Sequence, residues 1–120
     1  MGQKIIRLAV FGSRQINVDA AIEMLIEFIK VNNPQHIITA GEPRGVCALA
    51  RDTAKELSIP LTLHWLDRRH AAGCWEWRSR MVLMDCDHCL FLHNGISKGT
   101  LNEICEAEKL HRRYTYMEVK

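Results

Sequence analysis

Apolar positions fall into two kinds of stretch that alternate along the whole chain. The first kind is a short, nearly unbroken apolar run, the pattern of a strand buried on both faces. Ile5 to Phe11 is such a run and stops at Gly12. His36 to Thr39, closed by Gly41, is the second; Leu61 to Trp65, His88 to Leu92 and Tyr114 to Val119 follow. The second kind places apolar residues three or four apart, as on one face of a helix. Val18, Ala21, Ile22, Leu25, Ile26 and Ile29 have this spacing, start after the capping residue Asn17 and end at Asn32-Asn33-Pro34. Val46, Leu49, Ala50, Ala54 and Leu57 line a second helix that stops near Ser58-Ile59-Pro60. Cys74 to Met84 is the least regular helical segment, and Leu101 to His111 is the fourth. Asp67 to Gly73 is polar, basic and loop-like.

Strict alternation of strand and helix predicts an α/β fold: a single Rossmann-like three-layer domain over residues 1–120. Right-handed crossovers give a mainly parallel five-stranded sheet of order 3-2-1-4-5, with helices on both faces. In that order the sheet reverses direction between strands one and four. Ligands of such folds sit outside the carboxyl ends of the strands at the reversal.

The loops expected at that edge carry the chemistry. His93 to Glu103 follows strand four and supplies Asn94, Gly95, Ser97, Gly99 and Thr100 at a strand-to-helix junction. Free N–H groups and the helix dipole favour a phosphate there. Gly12-Ser13-Arg14, after strand one, offers close backbone approach, a hydroxyl and a planar guanidinium. A tight turn with a solvated arginine accounts for it equally well. Gly41-Glu42-Pro43-Arg44-Gly45, after strand two, brackets a turn with glycines just before a helix start. Cys47 stands in the first turn of that helix, where the dipole favours a thiolate, although a small buried residue fits the position better. Thr100-x-x-Glu103 matches a capping box, and that structural role competes with a chemical one for Glu103.

Composition narrows the classes. A net charge of +2 and scattered basic residues give no footprint for nucleic acid. Met1-Gly-Gln-Lys runs directly into a strand-like segment, with no charged-then-apolar leader and no apolar run of membrane-spanning length. Five cysteines in no disulfide framework suit reduced thiols, so a cytoplasmic protein without membrane partners is expected. Cys86-Asp87-His88-Cys89 has a suggestive spacing, but one cysteine ends a helix and the other begins a buried strand, so neither a metal nor a cofactor is expected. Trp65, Trp75 and Trp77 flank the polar loop with His70 among them, and fit base stacking or a packing patch. Arg112-Arg113 reads as dipole compensation at the end of helix four.

In order, Gly12-Ser13-Arg14, Gly41 to Ala50, Ala72-Gly73 with Arg78 and Met81, and Asn94-Gly95 to Gly99-Thr100 resemble the SLOG superfamily. Within it the chain is most similar to the YspA/YpsA-related branch, and more distantly to the LOG-type nucleoside 5′-monophosphate phosphoribohydrolases and the Rossmann-like domain of DprA. The resemblance spans about Ile6 to Val119. It implies a nucleotide or nucleotide-derived ligand at the carboxyl edge, ADP-ribose-like or a nucleoside monophosphate. If LOG chemistry carries over, Gly99 and Thr100 hold the 5′-phosphate, Glu103 engages the ribose or attacking water, and Arg78, with Arg80 as the alternative, stabilises charge as the N-glycosidic bond opens. His93 and Asn94 stand where the LOG motif has proline and glycine, the glycine loop is two residues longer, and Cys47 replaces an aspartate. A homodimer is implied by the same resemblance.

Overall fold

Five strands form one parallel sheet in the order β3-β2-β1-β4-β5: β1 (Arg7–Gly12), β2 (His36–Ala40), β3 (Leu61–His64), β4 (His88–His93) and β5 (Tyr114–Glu118). Four helices connect them: α1 (Val18–Asn32), α2 (Val46–Glu56), α3 (Cys74–Asp85) and α4 (Lys98–Lys109). This computed structural model describes residues 5–66, 69 and 73–120. Most of the polar loop, with His70 of the tryptophan cluster and Ala72 of the SLOG-like motif, lies outside the described residues.

The continuous apolar runs exist because the sheet is covered on both sides. Leu8, Val10, Ile37, Leu90 and Leu92 face one layer, where they meet Leu25 and Ile29 of α1 and Val46, Ala50 and Ala54 of α2. Ala9, Phe11, Ile38, Cys89 and Phe91 face the other, against Val82 and Leu83 of α3 and Ala107 of α4. Phe11 and Phe91, register partners on β1 and β4, stack with centroids 5.8 Å apart. Each fully buried side chain of this size contributes about 1.5–3 kcal/mol relative to exposure. The irregular α3 is therefore held by its few buried residues and by α4, not by a clean amphipathic stripe. No described helix is long and apolar enough to cross a membrane.

Helix ends show local chemistry overruling propensity. Asn17 caps α1 by accepting from the Ala20 N–H at 3.2 Å, and Asn33 closes it in a left-handed conformation, φ 47°. The start of α4 differs from the expectation of Leu101: Ser97 is the cap, its Oγ 3.5 Å from the Thr100 nitrogen. The serine cap satisfies an amide that would otherwise be orphaned, and this outweighs the helix-breaking tendency of Gly99. Thr100 is then inside the helix, so the Thr100–Glu103 capping box does not form. Arg112 reaches the Cys86 carbonyl at the end of α3, at 3.5 Å, instead of compensating its own helix.

Candidate functional site

The sheet order brings the β1–α1 and β4–α4 loops together at the reversal, and hydrogen bonds fasten them. Ser13 Oγ accepts from the Asn94 N–H at 3.1 Å and lies 3.5 Å from Thr100 Oγ1, while the Ser13 N–H donates to the Leu92 carbonyl. Asn94 Oδ1 accepts from the N–H groups of Ile96 and Ser97, both at 2.9 Å, which shapes the turn into α4. The buried His93 ring braces that turn. The Ser97 carbonyl can only accept, so His93 Nε2 donates to it at 2.9 Å, leaving Nδ1 to accept from Tyr116 and from the Gly95 N–H.

Beside this knot lies a cleft of about 970 Å³, at the carboxyl edge of the sheet and between α3 and α4. Of the residues expected from sequence, Gly12, Arg14, Arg44, Arg78, Asn94, Ser97, Gly99, Thr100 and Glu103 line it. Ser13, Gly41, Gly45 and Gly95 do not, and local packing accounts for them. A methyl group on Gly41 would strike the Trp65 ring at 2.3 Å. Gly45 has φ 82° and would meet the Arg14 Cα at 2.5 Å. Gly95 has φ 93°, and Ser13 is the interloop tie just described. Gly99 is the opposite case: a Cβ there has nothing nearer than Ser97 Oγ at 3.9 Å, so packing does not require glycine at this point of the cleft wall.

Glu42 and Ser79 also line the cleft and were assigned no part in it from sequence; Trp75, one of the tryptophans expected to stack on a base or form a packing patch, lines it too. Glu42 Oε1 accepts from Arg78 at 2.5 Å and from Arg14 at 3.3 Å. Both guanidinium groups also lie over the Trp75 ring, at 5.0 Å and 5.2 Å from its centroid. Arg78 is only 7% exposed, and its Nε is buried with no hydrogen-bond partner among the described residues. The signal for Glu42 was its place just past the end of β2, between two turn-forming glycines; the convergence of its partners from the β1–α1 loop and α3 left no trace in spacing.

Glu103, freed from the capping box, points between α3 and α4 and accepts from Ser79 Oγ at 3.3 Å. Burial raises its pKa to about 8, opposed by the Ser79 hydrogen bond and the Arg78 charge, while the Glu42 carboxylate pushes the same way as burial. The shift favours the protonated carboxyl near neutral pH, a form that can donate a hydrogen bond into the cleft. Burial also raises the pKa of the Cys47 thiol despite its position at the start of α2, which leaves it a small buried residue of the cleft floor. Cys86 and Cys89 are buried thiols with raised pKa values, that of Cys86 about 11. Among the described residues no group of three or more His, Cys, Asp or Glu side chains is placed to hold a metal ion.

No family model, curated protein or solved structure matches the chain.

Proposed function

We propose that this protein binds a nucleotide or nucleotide-derived ligand, ADP-ribose-like or a nucleoside monophosphate, in the cleft at the switch point. The observation that carries the reading is the juxtaposition of the open first turn of α4 with the buried Arg78. Lys98 and Gly99 occupy the first two helical positions, where N–H groups have no intrahelical partner, and the described residues supply none. An anion placed there meets free amides and the positive end of the helix dipole, with guanidinium charge on the facing wall. The cleft is large enough for a nucleotide-sized ligand. The SLOG-like order of motifs supports the same reading and adds a homodimer and a cytoplasmic setting to it. The test is a thermal-shift panel of mono- and dinucleotides followed by calorimetry. Saturable binding is expected, lost in Thr100→Val and Arg14→Ala. A wild-type protein unmoved by the whole panel would remove the reading.

One observation favours an enzymatic version. A proton-bearing Glu103 beside Ser79, with Arg78 in the same wall, is suited to N-glycosidic hydrolysis of a nucleoside 5′-monophosphate. In that reaction Glu103 donates its proton to the departing base as the C1′–N bond breaks, water adds at C1′ and returns its proton to the Glu103 carboxylate, and Arg78 and the α4 amides hold the phosphate end. Release of free base and ribose 5-phosphate, abolished in Glu103→Ala, is the expected result; turnover undiminished in that variant would exclude the assigned role.

A further inference from the structure

We propose that Glu42 is an internal stand-in for the ligand's anionic group, which the ligand must displace to gain the two cleft arginines. This rests on the binding reading above and goes beyond it by naming the group that sets affinity. The three partners come from separate parts of the chain: Arg14 from the β1–α1 loop, Glu42 from the β2–α2 loop and Arg78 from α3. They meet only because the sheet edge gathers them. All three line the cleft, and one carboxylate oxygen serves both guanidinium groups.

Burial explains why such a stand-in is needed. Arg78 is nearly inaccessible and the Glu42 side chain is only 13% exposed. A guanidinium removed from water without a counter-ion is strongly unfavourable, so the ligand-free cleft needs a carboxylate where an anion would otherwise sit. Two positive groups against one negative leave a net positive charge that attracts an incoming phosphate. Yet that phosphate and Glu42 compete for the same N–H donors and repel one another. A dianionic phosphate offers three acceptor oxygens and reaches the α4 amides as well, so it can take over the arginine bonds from a single carboxylate. Arg51 Nη1 donates to the Glu42 carbonyl at 3.3 Å, which tethers the Glu42 backbone beside its own side chain's ion pairs. Trp75 reports the exchange, since both guanidinium groups rest over its ring.

The sign of one substitution separates this role from direct ligand contact. If Glu42 held a ligand hydroxyl, Glu42→Gln would bind more weakly; if it competes with the ligand's anion, the same variant binds more tightly. Calorimetry with AMP, ADP-ribose and inorganic phosphate is expected to show Glu42→Gln binding about tenfold tighter than wild type, the scale on which one nearby charge biases another ionic equilibrium. Equal or weaker binding by a folded Glu42→Gln overturns the inference and leaves the binding reading intact. If none of the three probes binds either protein, both fail. Because Glu42→Gln strips a buried arginine of its counter-ion, a second measurement uses the native triad. Tryptophan emission of the wild type is expected to change as AMP saturates the cleft, along the same titration that calorimetry follows. Calorimetric saturation of the wild type with unchanged emission overturns the exchange.

Discussion

Replacing Glu103 by glutamine isolates the cost of holding a carboxyl group in the cleft floor. Glutamine keeps the length of the side chain and a carbonyl oxygen for the Ser79 hydroxyl, and removes only the ionisation. With a pKa of about 8 in the folded protein against 4.5 in the unfolded chain, the folded state binds the Glu103 proton more tightly. The stabilisation from that proton is complete below the unfolded value and is lost as pH rises through the folded one. At about 1.4 kcal/mol per unit, the interval sets an upper bound of roughly 5 kcal/mol. Water in the open cleft screens part of this, so Glu103 is expected to contribute a loss of about 2–4 kcal/mol between pH 5 and pH 9. Urea denaturation of both proteins across that range is the assay. The variant should match the wild type near pH 5 and exceed it by about 2–4 kcal/mol at pH 9, or by roughly 10 °C in melting temperature. The depressed pKa values of His36 and His88, both caused chiefly by burial, act in the opposite sense and cancel in the comparison. A stability difference that does not vary with pH would refute the reasoning.

Two glycines give opposite expectations. Gly99→Ala should leave stability unchanged or raise it by up to about 1 kcal/mol, since glycine is the weaker helix former and no neighbour obstructs the methyl group. The same variant should weaken nucleotide binding in calorimetry, because the methyl enters the cleft wall beside the free amides. Gly45→Ala should cost roughly 3 kcal/mol in chemical denaturation, because its φ is positive and the new Cβ would press on the Arg14 Cα and the Ser13 carbonyl, both main-chain atoms.

The fold was legible because its determinants are local and repetitive. Runs such as Leu8 to Phe11 fit only strands covered on both faces, and the alternation with helical spacing left few topologies. Errors gathered at the α4 start, where glycine argued for loop and a threonine with a downstream glutamate imitated a capping box. What decided the matter was Ser97, whose hydroxyl reaches Thr100 once the His93 and Asn94 bonds have set the turn. Those bonds depend on the β1–β4 pairing and on Tyr116 of β5, contacts that no local window contains.

The same reasoning explains why glycine spacing alone was a poor guide to the cleft. Gly41 and Gly45 look like phosphate-loop glycines in sequence, yet a tryptophan ring packs on the first, and the neighbouring backbone with a positive φ requires the second. Gly99 is the one whose missing side chain faces open space on the cleft wall. Arg14 was legible as a candidate, but its partner was not: a carboxylate two residues past β2 becomes part of the site only when the sheet order brings the β1–α1 loop and α3 to it. A close-packed glycine reports on the fold, whereas an unobstructed one beside amides that the described residues leave unpaired, and near a buried arginine, is what the proposed binding would use. On the proposed reading, substitutions at Gly99, Arg78 and Glu42 should therefore alter ligand affinity by more than substitutions of the close-packed Gly41 and Gly45.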